Sequence, residues 1–264
     1  MYAFTYHRPE TLEAALDLAG SEEAKLLAGG QTLLPTMKQR LASPAHIIDL
    51  GRLADLRFIR ATKSDVAIGA MTPHVMVATS TEIAERIPAL AALAGMIGDP
   101  AVRHRGTIGG SIANDDPAAD YPAACLALAA TIVTSKRRIA ADEFFRGLFE
   151  TALDDGEIII EVSFPVPDKA AYEKFPQPAS RFALVGVFVA KRSEDVRVAV
   201  TGAGGDGVFR VRAFEDALKD DFSPKAIEGI AVSSDGLASD IHADAEYRAH
   251  LIGVMTRRAV TKAG

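Results

Sequence analysis

Two glycine pairs about eighty residues apart carry the chemistry-bearing pattern of this chain. They are Ala28-Gly29-Gly30-Gln31-Thr32-Leu33 and Thr107-Ile108-Gly109-Gly110-Ser111-Ile112. Each sets two residues without a Cβ just ahead of a hydroxyl or amide side chain and then apolar residues. Glycine lets the backbone turn through conformations closed to other residues and come close to a ligand. Successive amides in such a turn can form a concave nest for an anion. One segment alone reads equally well as a tight strand-to-helix connection. Two of similar design are expected to form two walls of one diphosphate site, which points to a nucleotide cofactor and, first of all, to a flavoprotein.

Other sites are weaker. Gly202-Ala203-Gly204-Gly205-Asp206-Gly207 fits the Gly-x-Gly-x-x-Gly spacing, but a dinucleotide fingerprint must open a helix. Val208 to Arg212 instead alternates apolar and charged residues, so a glycine-rich hairpin turn is expected. Neither glycine pair is followed by Gly-Lys-Ser/Thr, which excludes a P-loop. Arg103, His104 and Arg105 are read as facing solvent or a partner. Asp120, three residues after Pro117, also suits the first turn of a helix. The one cysteine, Cys125, lies in an apolar helical run and reads as a buried structural thiol. A single thiol excludes an intrachain disulfide and a thiolate-held iron–sulfur cluster in this chain. The six histidines are scattered, and no bound metal is expected.

The elements that must hold these residues follow from periodicity. Leu12, Ala15, Leu16 and Ala19 share a helical face, Ala24 to Leu27 reads as a strand running into Gly29, and Thr32 to Leu41 as a helix with Pro35 in its first turn. His46 to Leu50 is strand-like. Phe58 to Ala61 and Val66 to Gly69 form a hairpin pattern. Helices are predicted from Thr72-Pro73 and Pro88, an irregular stretch from Gly98 to Gly106, and a buried helix over 118–129. Strands follow at Thr131 to Thr134, Glu157 to Phe164, Ala183 to Lys191, Val196 to Thr201 and 208–212. Further helices are predicted at Phe214 to Leu218, Pro224 to Ile230 and Ala245 to Ala259. The segment 167–180 holds three prolines and reads as a connection.

With 264 residues the chain has room for a sizeable core, and a net charge of −6 argues against nucleic-acid binding as its main task. The N-terminus lacks the basic start and apolar run of a signal peptide, and no membrane-length apolar run exists. A cytoplasmic protein is expected.

The glycine pairs in this order, with Pro117-Ala118-Ala119-Asp120 after the second and Tyr172-Glu173-Lys174-Phe175 and Ala179-Ser180-Arg181 further on, form a specific combination. The chain resembles the FAD-binding medium subunits of the molybdenum hydroxylases, the family of xanthine dehydrogenase and carbon monoxide dehydrogenase. The likeness covers nearly the whole sequence. It implies an α+β fold: a vanillyl-alcohol-oxidase (PCMH)-type FAD-binding domain of two α/β subdomains, residues 1–55 and 56–170, plus a small C-terminal α/β domain, residues 175–264.

The resemblance also implies a cofactor site. Leu27, Ala28, Gly29, Gly30, Gln31, Thr32, Leu33 and Leu34 would hold one side of FAD, with Thr107, Ile108, Gly109, Gly110 and Ser111 opposite. Ile97 and Ile159 match apolar residues near the adenine, Asp120 an acid bonded to the cofactor, and Lys174 a lysine close to the flavin ring. Ser111 departs from the family's usual Asn or Asp. No side chain of this chain is expected to be catalytic, since the flavin carries the electrons. A large molybdenum–pterin subunit and a small subunit with [2Fe–2S] clusters are implied as partners, in a heterotrimer or a dimer of heterotrimers. Electrons would pass from the clusters through FAD to an external acceptor. A stand-alone FAD oxidoreductase on the same scaffold, and an assembly subunit with a vestigial flavin site, are the alternatives.

Overall fold

The computed structural model describes all 264 residues. The chain begins with a strand, β1 (Thr5–His7), which the sequence pattern did not reveal because its side chains are largely exposed. Helix α1 (Leu12–Ala19) follows, capped by the Thr11 hydroxyl, which accepts from the Ala14 amide. Then come β2 (Ala24–Leu27), α2 (Leu33–Lys38) and β3 (His46–Asp49). The three strands form a parallel sheet in the order β1-β3-β2. The first glycine pair lies between β2 and α2, and Gly30 takes a φ of +74°, where a Cβ would be strained.

A second sheet opens with the predicted hairpin, β4 (Ile59–Ala61) and β5 (Asp65–Gly69). Six short helices follow: α3 (His74–Thr79), α4 (Thr81–Arg86), α5 (Pro88–Gly95), α6 (Pro100–Arg105), α7 (Ile108–Asn114) and α8 (Tyr121–Ala127). The chain then returns as β6 (Thr131–Thr134) and β7 (Arg138–Ala140), passes the short helix α9 (Ala141–Phe144) and the hairpin β8 (Phe145–Gly147) and β9 (Glu150–Thr151), and enters β10 (Ile159–Pro165). The sheet order is β4-β5-β10-β6-β7, with β10 antiparallel to both β5 and β6. Helix α8 is buried along its whole length, Cys125 included, as its apolar run requires.

The third sheet contains β11 (Lys169–Pro176), β12 (Ala183–Arg192), β13 (Asp195–Thr201) and β14 (Phe209–Arg210), in sequential antiparallel order. Strand β12 is buried on both faces. Val185, Val187 and Val189 pack towards α10 (Arg212–Asp220) and α11 (Ala245–Ala263), while Phe188 and Ala190 belong to the core of the preceding domain. This period-2 division joins the last sheet to the rest of the molecule through side-chain packing.

Several elements differ from the sequence reading. The segment 167–180 holds strand β11 instead of a plain connection; its prolines fall at or beyond the strand's ends, where the ladder tolerates them. The stretch 98–106 is helical over Pro100–Arg105, because Asp99 caps the Val102 amide at 2.8 Å and Pro100 occupies the first helical position. The strand expected at 208–212 shortens to Phe209–Arg210, and the helix expected from Pro224 is a single 3₁₀ turn, Pro224–Ile227. The Gly202–Gly207 segment is the hairpin connection between β13 and β14, as its periodicity required.

Buried Arg248 of α11 ties this last domain together. It donates to the carbonyls of Leu184 at 2.8 Å and Gly202 at 2.7 Å, and to Asp240 at 2.8 Å. Replacing it leaves two buried carbonyls without donors. Arg248→Met is expected to lower the unfolding free energy by about 2–4 kcal/mol, read from urea denaturation.

Candidate functional site

A cleft of about 680 Å³ opens beside the two glycine pairs, within the range of small-molecule and cofactor sites. Its walls come from β2 and the first glycine segment, from the start of α7, from Ile97 and Gly98, from Asp154 to Ile159, and from Ser180 to Phe182.

The two glycine segments meet backbone to backbone. A Cβ on Gly29 would lie 2.1 Å from the Arg105 carbonyl oxygen and 2.7 Å from the Gly106 Cα. Any side chain there would force the segments apart. Gly109 is equally confined against Ala70, where a Cβ would fall 2.6 Å from the Ala70 Cβ. Gly110 faces the first segment, with its Cβ position 3.3 Å from the Ala28 Cβ.

The segments differ in what their amides do. Gly29, Gly30, Gln31, Thr32 and Leu33 donate their amide hydrogens to no protein acceptor, which leaves them for a ligand or water. The second pair is not a loop at all. Gly109 and Gly110 lie in the first turn of α7, and their amides are already used. Ile108 donates to Thr72 at 3.1 Å, Gly109 to Ala70 at 2.9 Å, Gly110 to the Thr107 hydroxyl at 3.1 Å and Ser111 to the Thr107 carbonyl at 3.0 Å. The expectation of two amide nests is therefore corrected. The first segment supplies donors, whereas the second supplies room and a fixed wall. The cause is the Thr107 N-cap together with the carbonyls just past the end of β5.

Asp120 lines the cleft but does not cap α8. Its buried carboxylate accepts from Tyr172 and forms an ion pair with Lys174 at 2.9 Å. Lys174 also donates to the Met96 carbonyl at 3.3 Å. Burial raises the Asp120 carboxyl above the usual range, against the pull of the Lys174 ammonium and the Tyr172 hydroxyl. Gly186 makes this arrangement fit, because a Cβ there would sit 2.3 Å from the Tyr172 hydroxyl oxygen.

Of the residues expected at the site, Leu27, Ala28, Gly29, Gly30, Gln31, Thr32, Leu33, Ile97, Thr107, Gly109, Gly110, Ser111, Asp120 and Ile159 line the cleft. Three do not. Leu34 packs beneath Gly30, its Cδ1 2.8 Å from the Gly30 Cβ position, and Ile108 is wholly buried in the core. Lys174 stands behind Asp120, and its side chain is 2% exposed. The basic trio also divides. Arg103 donates to the carbonyls of Ile97 and Gly98 at 3.0 and 3.1 Å, His104 bonds the Pro100 carbonyl at 2.7 Å, and Arg105 remains exposed.

Sequence reasoning passed over two groups. His74 lines the cleft, is buried, and has no hydrogen-bond partner for Nδ1. Burial, then the Arg103 charge, push its pKa down to about 4, so the ring is neutral near neutral pH. Asp115 ends α7 in the left-handed region at φ 43° with a buried, unpartnered carboxyl oxygen. Burial, then neighbouring Asp116, raise its pKa to about 7. Neither stands in a motif, and only the fold shows that they are enclosed.

Residues 2–167 match the family described as FAD binding domain in molybdopterin dehydrogenase, and residues 170–263 match the CO dehydrogenase flavoprotein C-terminal domain. This chain belongs to the FAD-binding medium subunits of the molybdenum hydroxylases. It is 36% identical to the carbon monoxide dehydrogenase medium chain of Hydrogenophaga pseudoflava, over 98% of this chain and 96% of that one. It is 37% identical to the nicotine 6-hydroxylase medium subunit of Paenarthrobacter nicotinovorans, over 99% and 98%. The fold superposes on quinoline 2-oxidoreductase from Pseudomonas putida 86 with a TM-score of 0.88 at 28% identity, covering 99% of this chain and 97% of that one. The chain is thus an oxidoreductase subunit with an FAD-binding domain, in an α+β fold shared with these flavoproteins. No helix is long and apolar enough to cross a membrane.

The cleft fits the family's cofactor. It offers a run of unpaired amides for a diphosphate, a glycine wall without side chains, and a buried imidazole without a partner.

Two outcomes follow. Gly29→Ala and Gly110→Val are both expected to release FAD on desalting while circular dichroism stays native, Gly29→Ala by parting the two segments and Gly110→Val by filling the gap to Ala28. Asp115 titrates higher in the folded chain than the ordinary carboxylate value of 3.8, so its contribution is full below that value and is lost as the pH rises through about 7. Asp115→Asn, which also tolerates the left-handed backbone, is expected to raise the urea midpoint at pH 8 and to leave it nearly unchanged at pH 4.

Proposed function

We propose that this chain is the electron-transfer subunit of a heteromeric molybdenum hydroxylase, taking electrons from [2Fe–2S] clusters on a small partner and passing them through FAD to an external acceptor. A large partner with a molybdenum–pterin centre would carry the hydroxylation and choose the substrate. The observation that carries the reading is the cleft itself, where unpaired amides of residues 29–33 face a site built on a family FAD domain. The likeness to medium subunits over 96% and 98% of their lengths supports a place in such an assembly.

Bound FAD supplies the one- and two-electron chemistry, and the chain supplies position and surroundings. The amides of Gly29 to Leu33 would hold the diphosphate. Gly110 leaves it room, Asp120 offers a carboxylate fixed from behind by Lys174 and Tyr172, and Ile97 and Ile159 add apolar walls near the adenine. Leu27, Ala28, Thr107 and Ser111 complete the lining, while Leu34, Ile108 and Lys174 act from the layer behind it. Cys125, the one cysteine, is enclosed in α8, and burial raises its thiol far above the ordinary range, so it offers no thiolate to a cluster. This fits a division of labour in which the clusters lie on another chain and electrons enter from there. The assembly would be a heterotrimer or a dimer of heterotrimers in the cytoplasm.

The test is reconstitution. The complex with this chain is expected to bleach the flavin absorbance band when the partner's substrate is added, and to reduce an external acceptor. The complex without it is expected to reduce its clusters only. Substrate oxidation by the isolated chain would instead identify a stand-alone flavoenzyme, and a native complex free of flavin would identify an assembly subunit.

A further inference from the structure

We propose that His74 is a cofactor-positioning residue that donates a hydrogen bond from Nε2 to the diphosphate of the bound dinucleotide, a role that rests on the flavin reading above. The amides at the start of α7 are consumed within the protein, so the diphosphate must find its partners among the first segment's amides and the side chains of the cleft. His74 is the buried, cleft-lining imidazole at the place where the two segments meet. Its backbone amide donates to the Gly106 carbonyl at 2.9 Å, and Gly106 is the residue that Gly29 abuts.

The ring is held and yet uncommitted. Its Nε2 points along Gly106, where an added Cβ would come within 2.5 Å, so glycine at 106 is what gives this nitrogen its place. Neither ring nitrogen makes a hydrogen bond within the protein, and Nδ1 is sealed from solvent. The Tyr121 ring, 5.4 Å away between centroids, packs beside the imidazole and fixes its orientation. With Nδ1 sealed, Nε2 is the ring nitrogen open to a partner, and an acceptor on a ligand in the cleft supplies one. The neighbouring Arg103 guanidinium, itself tied to the carbonyls of Ile97 and Gly98, adds positive potential on the same side. A neutral imidazole with Nε2–H serves an anion there without a second buried positive charge beside Arg103.

The experiment uses the full-length chain stripped of flavin, titrated with FAD and, separately, with ADP, which carries the diphosphate without the flavin. His74→Phe is expected to weaken both ligands by about tenfold or more, the loss of one hydrogen bond to a charged group. His74→Gln, whose amide reaches to a similar place, is expected to stay within about threefold of wild type by the same measure. In ¹⁵N-histidine-labelled wild-type protein the His74 Nε2 resonance is expected to move on adding either ligand, a readout that stands even if His74→Phe does not fold. Wild-type affinity in His74→Phe, or an Nε2 resonance that ignores FAD and ADP, overturns the assignment. A loss confined to FAD, with ADP unaffected, overturns the diphosphate as the acceptor. A wild-type chain that takes up no FAD overturns the flavin reading itself, and this failure shows before any variant is compared.

Discussion

The close approach of Gly29 to the backbone of Arg105 and Gly106 is the constraint on which the site depends. It joins the small parallel sheet to the helical layer of the second subdomain without an intervening side chain. Backbone groups this close leave no tolerance for even a methyl group, so the separation of the two walls is set by steric exclusion and not by flexible side chains. The free amides of the first segment are thereby held at a fixed height above the start of α7. An amide nest that is preorganised in this way avoids the entropic cost of assembling donors around the ligand.

The roles of the two glycine pairs are unequal for a reason rooted in helix geometry. A helix start has amides in need of acceptors, and α7 satisfies its own with the Thr107 hydroxyl and with carbonyls from the end of β5. That solution pins α7 to the second sheet and makes a rigid wall. It also removes those amides from ligand binding. The first segment follows β2, whose ladder ends at Leu27, and no other strand or cap offers acceptors to the residues after it. Donors accumulate where the secondary structure fails to use them.

Much of this organisation was legible in the sequence. Glycine at 29, 30, 109 and 110 announced backbone approach, and the continuous apolar run of β12 beside the Val-rich β13 announced a buried sheet. Hydrophobic periodicity gave α1 and the buried run of α8. What was hidden depended on non-local partners. A glycine pair looks the same in a loop and in a helical turn, and beyond the local Thr107 cap it is the positions of Ala70 and Thr72 that decide which amides are spent. His74 carries no signal of its own, since nothing in its sequence neighbours reveals that Gly106 and Tyr121 will enclose it. The three prolines of 167–180 suggested a linker, yet β11 runs between them and pairs with β12 across its length. Lys174 was placed by resemblance near the ligand, but strand alternation and its ion pair set it one layer back.

That back layer gives the C-terminal domain a part in the cofactor site. Tyr172 and Lys174 lie two residues apart on β11, on the same face, and both reach Asp120. Thr201 of β13 donates to the carbonyls of Pro117 and Ala119, and Gly202 to Pro117 at 2.7 Å, so the loop that carries Asp120 is gripped from the third sheet. A buried carboxylate with one partner removed carries a large desolvation penalty. The geometry of Asp120 is therefore only as good as the docking of β11 to β13 on the FAD domain. Gly186 belongs to the same chain of causes, because without its missing Cβ the Tyr172 hydroxyl could not cross β12 to the carboxylate. The last sheet, which lends only its β11–β12 turn to the cleft, thus fixes one of the cleft's charged groups, and a disturbance of its docking is carried to the cofactor through Asp120.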